Sequence, residues 1–223
     1  MSRLRRSPLR GLGSLPGISN LCGLSRLCGW PMWLLLAAAM LYGHTAYLYG
    51  KAQLAQWLIA DAWQLSLSQQ QPVRPWAWAD TWPVARLQYQ AGDQPQDLYV
   101  LAGATGNSLA FGPGHMTGTS LPGKNGNSII GGHRDTHFAF LQDLQRGDIL
   151  RVQNQLGEWR RYEVSQIRVR NIDHGPLQLD PRLHELQLIT CYPFDALHTG
   201  GPLRYQVSLR PVLAAPTTYA STF

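Results

Sequence analysis

The sequence predicts a mainly β domain that closes into an eight-stranded β-barrel with one or two short helices, preceded by an N-terminal transmembrane helix. Three observations predict this. Short apolar runs separated by Gly, Asn, Asp and Pro follow Pro83. Only one segment of that region has helical spacing. An apolar stretch at residues 30–50 follows a basic tail. The 223 residues are enough for one domain with a core and appendages.

Residues 1–29 form a basic tail, which we expect on the cytoplasmic side of a membrane. They contain five of the chain's 19 Lys and Arg and no acid, so the remainder carries 14 basic against 13 acidic residues. A nearly neutral domain lacks the concentrated basic face that nucleic acids require. We therefore expect no nucleic-acid partner. Cys22 and Cys28 lie in this tail, where thiols stay reduced.

Residues 30–50 are long enough to cross a hydrocarbon layer of about 30 Å as a helix. Trp30, Trp33, Tyr47 and Tyr49 flank the segment as interfacial anchors would. Five arginines before it, and only Lys51 among the 20 residues after it, predict a cytoplasmic N-terminus and an exported domain. A cleaved signal peptide is the alternative, but no small-x-small site cleanly follows the apolar run. The expected location is the inner (cytoplasmic) membrane, single-pass, with an extracytoplasmic or periplasmic domain.

Residues 51–83 are predicted to be a helical stalk and a linker that is rich in Pro and Trp. The first part, residues 51–67, contains no Gly or Pro and has a partly apolar helical stripe. The second part, residues 68–83, has the Gln- and Pro-rich composition of a connecting segment. The folded domain is then expected at residues 84–223.

Eight strands are predicted in that domain, and a short helix at residues 135–145. The strands are at residues 85–90, 98–103, 108–111, 127–132, 148–153, 159–170, 185–191 and 204–210. So many short strands with few helices favour a closed or nearly closed barrel over an open sandwich. No Gly-rich phosphate loop is present, because GPGHMTG lacks the Lys and the strand-to-helix setting that such a loop needs.

Cys191 is the one cysteine of the predicted domain, and it ends a strand. Alternation puts Leu186 and Leu188 on one face of that strand and Cys191 on the other. If this strand pairs with residues 204–210, Arg204 lies beside Cys191. His133 follows two glycines at the end of another apolar run. A thiol, an imidazole and a guanidinium at strand ends are the parts needed for acyl transfer through a thioester.

Two segments carry a resemblance to a known family. NSIIGGHRDTHFAFLQDLQRGD and LQLITCYPF, with an Arg 13 positions past the cysteine, closely resemble sortases, membrane-bound cysteine transpeptidases. Gln187 stands where the family's signature often has Thr. FGPGHMTGTSLPGKNGN also resembles the stretch before the sortase histidine. The match covers roughly residues 84–211. In its general sequence character, the chain resembles the sortase class found in Gram-negative, often marine, bacteria.

The resemblance implies an eight-stranded barrel, one transmembrane anchor and three catalytic roles. Cys191 would be the nucleophile, His133 the general acid and base, and Arg204 the substrate clamp and oxyanion stabiliser. Ile189 and Thr190 are candidate substrate-binding residues. The substrate would be a protein with an LPXTG-like C-terminal sorting signal, transferred to an unidentified acceptor amine. No cofactor is expected; some sortases bind calcium, but no clustered carboxylates indicate it here.

Four alternatives stay open at this point. Asp135 could be a third partner of His133. His133 and His137, at i and i+4, could bind a metal with Cys191, although the Glu of the metalloprotease pattern is missing. The chain could be a membrane-tethered thiol peptidase that only hydrolyses. It could also be a membrane-anchored binding module whose cysteine is merely buried.

Overall fold

A computed structural model describes residues 24–175, 183–196 and 200–212, and their side chains from residue 31 onward. The chain divides into two compact units, with the boundary between Gly50 and Lys51. Each unit is described by itself. Residues 1–23 of the predicted basic tail, including Cys22, lie outside the described residues.

In the first unit the described residues form the beginning of helix α1 (Leu24–Gln69). Many of its large apolar side chains are exposed, among them Trp33, Leu35 and Met40. No helix in the described part of the chain is both long and apolar enough to cross a membrane. The transmembrane helix predicted at residues 30–50 is therefore not supported, since Gly43 to Thr45 interrupts its apolar run.

In the second unit the remainder of α1 packs against the barrel. Its buried residues recur at helical spacing on one face: Ala55, Ile59, Ala62, Trp63 and Ser66. The indole Nε1 of Trp63 donates to Oε1 of Gln153 at 3.2 Å. The segment at residues 51–67 is helical, as predicted. It is docked on the domain and is not a free stalk, because its apolar stripe finds a surface to cover.

Eight strands follow and close into a barrel, which confirms the predicted eight-stranded β-barrel. They are β1 (Pro83–Ala91), β2 (Gln94–Ala102), β3 (Gly114–His115), β4 (Ser128–Gly131), β5 (Ile149–Gln153), β6 (Trp159–Asn171), β7 (Leu186–Cys191) and β8 (Leu203–Pro211). Their order around the barrel is β1-β2-β3-β4-β7-β8-β6-β5. The pairs β2–β3 and β4–β7 are parallel, and the other six are antiparallel.

The strand predicted at residues 108–111 is wrong, because the chain forms helix α2 (Gly106–Leu109) there. Local side-chain bonds favour the helical turn: the Ser108 hydroxyl donates to the Gly103 carbonyl at 2.7 Å and accepts from the Thr105 amide at 3.1 Å. The barrel strand that the sequence did not predict is β3. It has only two residues, which is too short for a side-chain alternation to be recognised. The helix predicted at residues 135–145 is reduced to a 3₁₀ turn at Ala139–Gln142.

The barrel core contains the apolar faces of the strands. Leu186 and Leu188 of β7 and Val207 and Leu209 of β8 are fully buried in it. The core-facing position predicted for Leu186 and Leu188 is thereby confirmed. The opposite faces carry Gln187, Ile189 and Cys191 on β7, and Arg204, Gln206 and Ser208 on β8.

Candidate active site

One edge of the barrel brings three strand ends together. Strands β4 and β7 are parallel, with Gly131 paired to Ile189, so both finish at the same edge. The Gly132 amide donates to the Ile189 carbonyl at 3.1 Å, which extends this pairing to the residue before His133. Strand β8 runs back from that edge. The loops that carry His133 and Cys191 therefore leave the barrel side by side.

Cys191 and Arg204 are directly opposite each other in the β7–β8 ladder. The sequence predicted this neighbourhood, and the pairing confirms it. Cys191 is half-buried and not in a disulfide. Nη1 of Arg204 donates to the carbonyls of Gly201, at 2.6 Å, and Leu203, at 2.9 Å. These two bonds tie the guanidinium to the backbone at the start of β8.

His133 is exposed just beyond β4, and its carbonyl accepts from the Phe138 amide at 2.9 Å. Gly132 is needed here for space rather than for an unusual backbone angle. A Cβ on it would lie 2.8 Å from the buried Phe138 ring. The close packing of this ring under the backbone fixes the turn that presents His133.

A second histidine lies near His133. Burial, and secondarily the charge of His133, lower the pKa of His137 below its ordinary value. His137 therefore favours its neutral form. In the described part of the chain, Asp135 forms neither an ion pair nor a hydrogen bond with His133, so the structure gives no support to Asp135 as a third partner.

A groove of about 650 Å³ opens next to Arg204 on the outer face of β7 and β8. Its lining combines apolar side chains with cationic and polar ones: Met116, Val169, Ile172 and Ile189, together with Arg170, His174, Arg204 and Gln206. Ile189, a candidate substrate-binding residue, thus faces this groove. Arg170, which the sequence did not single out, pairs with Arg204 across β6 and β8. That pairing was not deducible from the order of strands in the sequence.

Thr190, the second candidate substrate-binding residue, is only 2% exposed. Its hydroxyl donates to the Gly132 carbonyl at 2.7 Å, which ties β7 to the residue before His133. This bond supports a role in positioning the site rather than direct substrate contact. On the same strand, Gln187 accepts from Nε2 of Gln206 at 3.0 Å, and both side chains are buried.

A second cavity, of about 520 Å³, lies along the loop that follows Cys191. Tyr192, Pro193, Phe194 and Asp195 supply one wall, and Arg134, Asp135, Ala139 and Gln142 supply the other. Arg134 was not singled out by the sequence analysis. Nothing in the local sequence distinguishes it, because an arginine in a loop is ordinarily exposed.

The geometry does not support a metal site formed by His133, His137 and Cys191. Across the part of the chain that the structure describes, no group of three His, Cys, Asp or Glu side chains is placed to hold a metal ion. The i, i+4 spacing of His133 and His137 does not lie on a helix, so it does not put both rings on one face. The two histidines and Cys191 therefore do not form a ligand set here.

Comparison with known proteins agrees with this arrangement. The chain is 34% identical over 110 residues to Sortase D of Bacillus subtilis, covering 49% of this chain and 54% of that protein. The structure resembles sortase A from Corynebacterium diphtheriae, with a TM-score of 0.52, 27% identity and coverage of 63% of this chain and 65% of that one. A Clostridium perfringens Sortase D5 transpeptidase shares the fold at a TM-score of 0.50 and 22% identity, over 65% of this chain and 84% of that one.

The alignments have limited length. The chain spans about half the length of the curated relative it matches. The sortase domain model matches residues 93–212, which include the β4 end, the cysteine strand and the arginine strand. That match extends over more than half of the chain. The chain therefore belongs to the sortase family, whose members are cysteine transpeptidases.

Proposed function

We propose that this protein is a transpeptidase that cleaves an LPXTG-like C-terminal sorting signal and transfers the substrate protein to an amine. One observation carries the proposal: Cys191 is paired directly with Arg204 at the barrel edge where the chain leaves β4 into His133. The strand ends thus bring a nucleophile, a cation and a proton carrier to one edge of the barrel. This is the arrangement that acyl transfer through a thioester needs.

In the first half of the reaction the Cys191 thiolate attacks the carbonyl carbon of the bond between Thr and Gly. Negative charge develops on the carbonyl oxygen, and N–H groups of the Arg204 guanidinium stabilise it. His133, as imidazolium, gives its proton to the nitrogen of the leaving glycine. The C–N bond breaks, the glycine end leaves as an amine, and the Thr carbonyl remains joined to sulfur.

In the second half an acceptor amine attacks the thioester carbon. His133, now neutral, takes the proton that this nitrogen loses, and the Cys191 thiolate is released. A new amide bond joins the substrate protein to the acceptor. Water in place of the amine would give a carboxylic acid, so hydrolysis competes at this step.

The 650 Å³ groove is the proposed site for the sorting signal. Ile189, Val169, Ile172 and Met116 offer it apolar surface, as a Leu-Pro segment requires, and Arg204 marks its reactive end. The rival functions are hydrolysis alone and binding without chemistry. A peptide ending in an LPXTG-like sequence, supplied with and without an amine, separates them. Transfer product supports the proposal, acid product in both cases indicates a peptidase, and no turnover indicates a binding module.

We also propose that the chain acts at the cytoplasmic membrane with the barrel on its extracytoplasmic side. Support comes from the arginine-rich, acid-free residues 1–29 and from exposed Trp33, Leu35, Leu41 and Tyr49 on α1. Fractionation of cells that express the full chain tests it. Recovery in the membrane fraction agrees with the proposal, and extraction by salt or by detergent then distinguishes surface binding from insertion. Recovery in the soluble fraction contradicts it.

The assignment to the class of Gram-negative bacteria remains a proposal that is supported by sequence texture. Such an enzyme would serve one or a few dedicated substrates. A neighbouring reading frame that ends in an LPXTG-like motif, an apolar span and a basic tail would identify one.

A further inference from the structure

Arg134 follows His133 in the chain and is buried, with only 8% of its surface exposed. Its two terminal nitrogens bond to the loop that follows Cys191. Nη1 donates to the Pro193 carbonyl at 2.7 Å, and Nη2 donates to the Ala196 carbonyl at 2.6 Å. The side chain thus runs from the His133 loop to the Cys191 loop.

Burying a guanidinium is costly unless its N–H groups find acceptors. Here the planar fork of arginine matches two carbonyls that lie three residues apart in one loop. Removing Arg134 would leave both carbonyls without these donors. A lysine, with one nitrogen at the end of a flexible stem, does not reproduce the two-point contact.

A second bond joins the same two segments on the other side of the reacting pair. The Thr190 hydroxyl donates to the Gly132 carbonyl at 2.7 Å. Gly132 and Thr190 directly precede His133 and Cys191, whereas Arg134 and Pro193 follow them. The two catalytic candidates therefore lie between two cross-links: one joins Gly132 to β7, and the other joins the His133 loop to the loop after Cys191.

We propose that Arg134 is a positioning residue that sets the distance between His133 and Cys191. The proposal rests on the function proposed above for that pair. Proton transfer between imidazole, sulfur and substrate depends steeply on geometry, and a displacement of about 1 Å can cost roughly 100-fold in rate. Besides the bonds to Arg134, the described contacts of the loop after Cys191 include the Tyr192 amide, which donates to the Leu203 carbonyl at 3.1 Å, and aromatic packing. Tyr192 and Phe194 pack there on Tyr205.

The test compares Arg134→Met with Arg161→Met, a matched change at an exposed arginine on β6. Formation of the thioester is measured in a single turnover. Arg134→Met is expected to slow it about 10- to 100-fold with an almost unchanged KM, and Arg161→Met is expected to have no effect. In a His133→Ala background, Arg134→Met should cause little additional loss, because the geometry it sets no longer matters. An equal loss in both backgrounds would overturn the proposal.

A second readout needs no peptide. Alkylation of Cys191 by iodoacetamide is followed against pH in the wild type, His133→Ala and Arg134→Met. The Arg134→Met profile should move toward that of His133→Ala, and a wild-type profile would contradict a positioning role. This measurement distinguishes two failures. If the proposed function is wrong, the wild type will not turn over the peptide; if only the positioning role is wrong, the alkylation profile of Arg134→Met will match that of the wild type. If Arg134→Met does not fold, Arg134→Lys takes its place and should give an intermediate profile; a wild-type profile in Arg134→Lys contradicts the two-point contact.

Discussion

At the scale of single residues, Arg204 is the cation that is paired with Cys191 in the β7–β8 ladder. Arg204→Lys keeps the charge but loses the planar guanidinium, which has further N–H groups to donate while Nη1 is bonded to the Gly201 and Leu203 carbonyls. We expect thioester formation to slow about 100- to 1,000-fold, the cost of removing an oxyanion donor. Single-turnover kinetics measures this.

Arg170→Lys is the matched control, because Arg170 lines the same groove opposite Arg204. It should reduce the rate far less, since Arg170 is not in the ladder beside Cys191. Equal losses in the two variants would contradict a specific role for the Arg204 guanidinium as the oxyanion donor.

Gln187 carries a second prediction at this scale. It takes the place of a Thr that is frequent in the sortase signature, and it accepts from Gln206 in a buried position. Gln187→Leu would leave the Gln206 amide without this acceptor, and we expect the free energy of unfolding to fall by about 1–3 kcal/mol. Urea denaturation measures it. The double variant with Gln206→Leu should regain most of the loss, and a fully additive loss would contradict the pairing.

Sequence reasoning succeeded best for residues whose side-chain direction follows from strand alternation. Cys191, Leu186, Leu188 and Arg204 lie where a two-residue period puts them. Arg134 was not predicted, because its contacts are hydrogen bonds to two carbonyls of a loop about 60 positions away. No local pattern encodes such a contact.

At the scale of elements, the turn between β4 and His133 depends on Gly132. A Cβ there would meet the Phe138 ring at 2.8 Å, whereas the nearest atom to a Cβ on Gly131 is 4.0 Å away. Gly132→Ala should therefore displace either the ring or the backbone that carries His133. We expect lower stability by about 1–3 kcal/mol and slower thioester formation. Thermal unfolding and single-turnover kinetics check the two effects.

Gly131→Ala is the control for this prediction and should be close to wild type in both measurements. Two adjacent glycines look equivalent in the sequence. Neither has a positive φ, and only packing distinguishes them. Similar losses in the two variants would show that the explanation by contact with Phe138 is wrong.

The misassigned elements share a physical cause. Strand β3 consists of Gly114 and His115, which is too short for any period to show, and its partners lie in β2 and β4. Helix α2 is stabilised by the Ser108 and Thr105 bonds rather than by apolar spacing. Both depend on contacts made at a single position, whereas the other seven strands were predicted to within a few residues.

At the scale of the whole molecule, two histidines should make stability depend on pH. Burial lowers the pKa of His115 below the ordinary value of 6.5, although its hydrogen bonds to Ser120 and Thr119 oppose this. Burial, then the charge of His133, lowers the pKa of His137 likewise. Each histidine binds a proton more readily in the unfolded chain. Their stabilisation is therefore complete above pH 6.5 and is lost as the pH falls through that value.

We expect the free energy of unfolding to decline between pH 7.5 and 5.5 by at most about 1.4 kcal/mol per pH unit for each histidine. Urea unfolding at a series of pH values measures this slope. His115→Gln should make the slope shallower by the contribution of one proton. A stability that does not change over this range would contradict the assignment of both groups.

The central claim is that the Cys191 sulfur becomes covalently bound to the new carboxyl end of a cleaved substrate. Mass spectrometry of the protein, quenched in acid during turnover of an LPXTG-like peptide, tests it most directly. The account predicts an adduct on the fragment that contains Cys191, with the mass of the peptide up to its Thr. Hydroxylamine should remove this adduct, and the Cys191→Ala variant should not form it. Cleavage of the peptide without any such adduct, or equal cleavage by Cys191→Ala, would contradict the account.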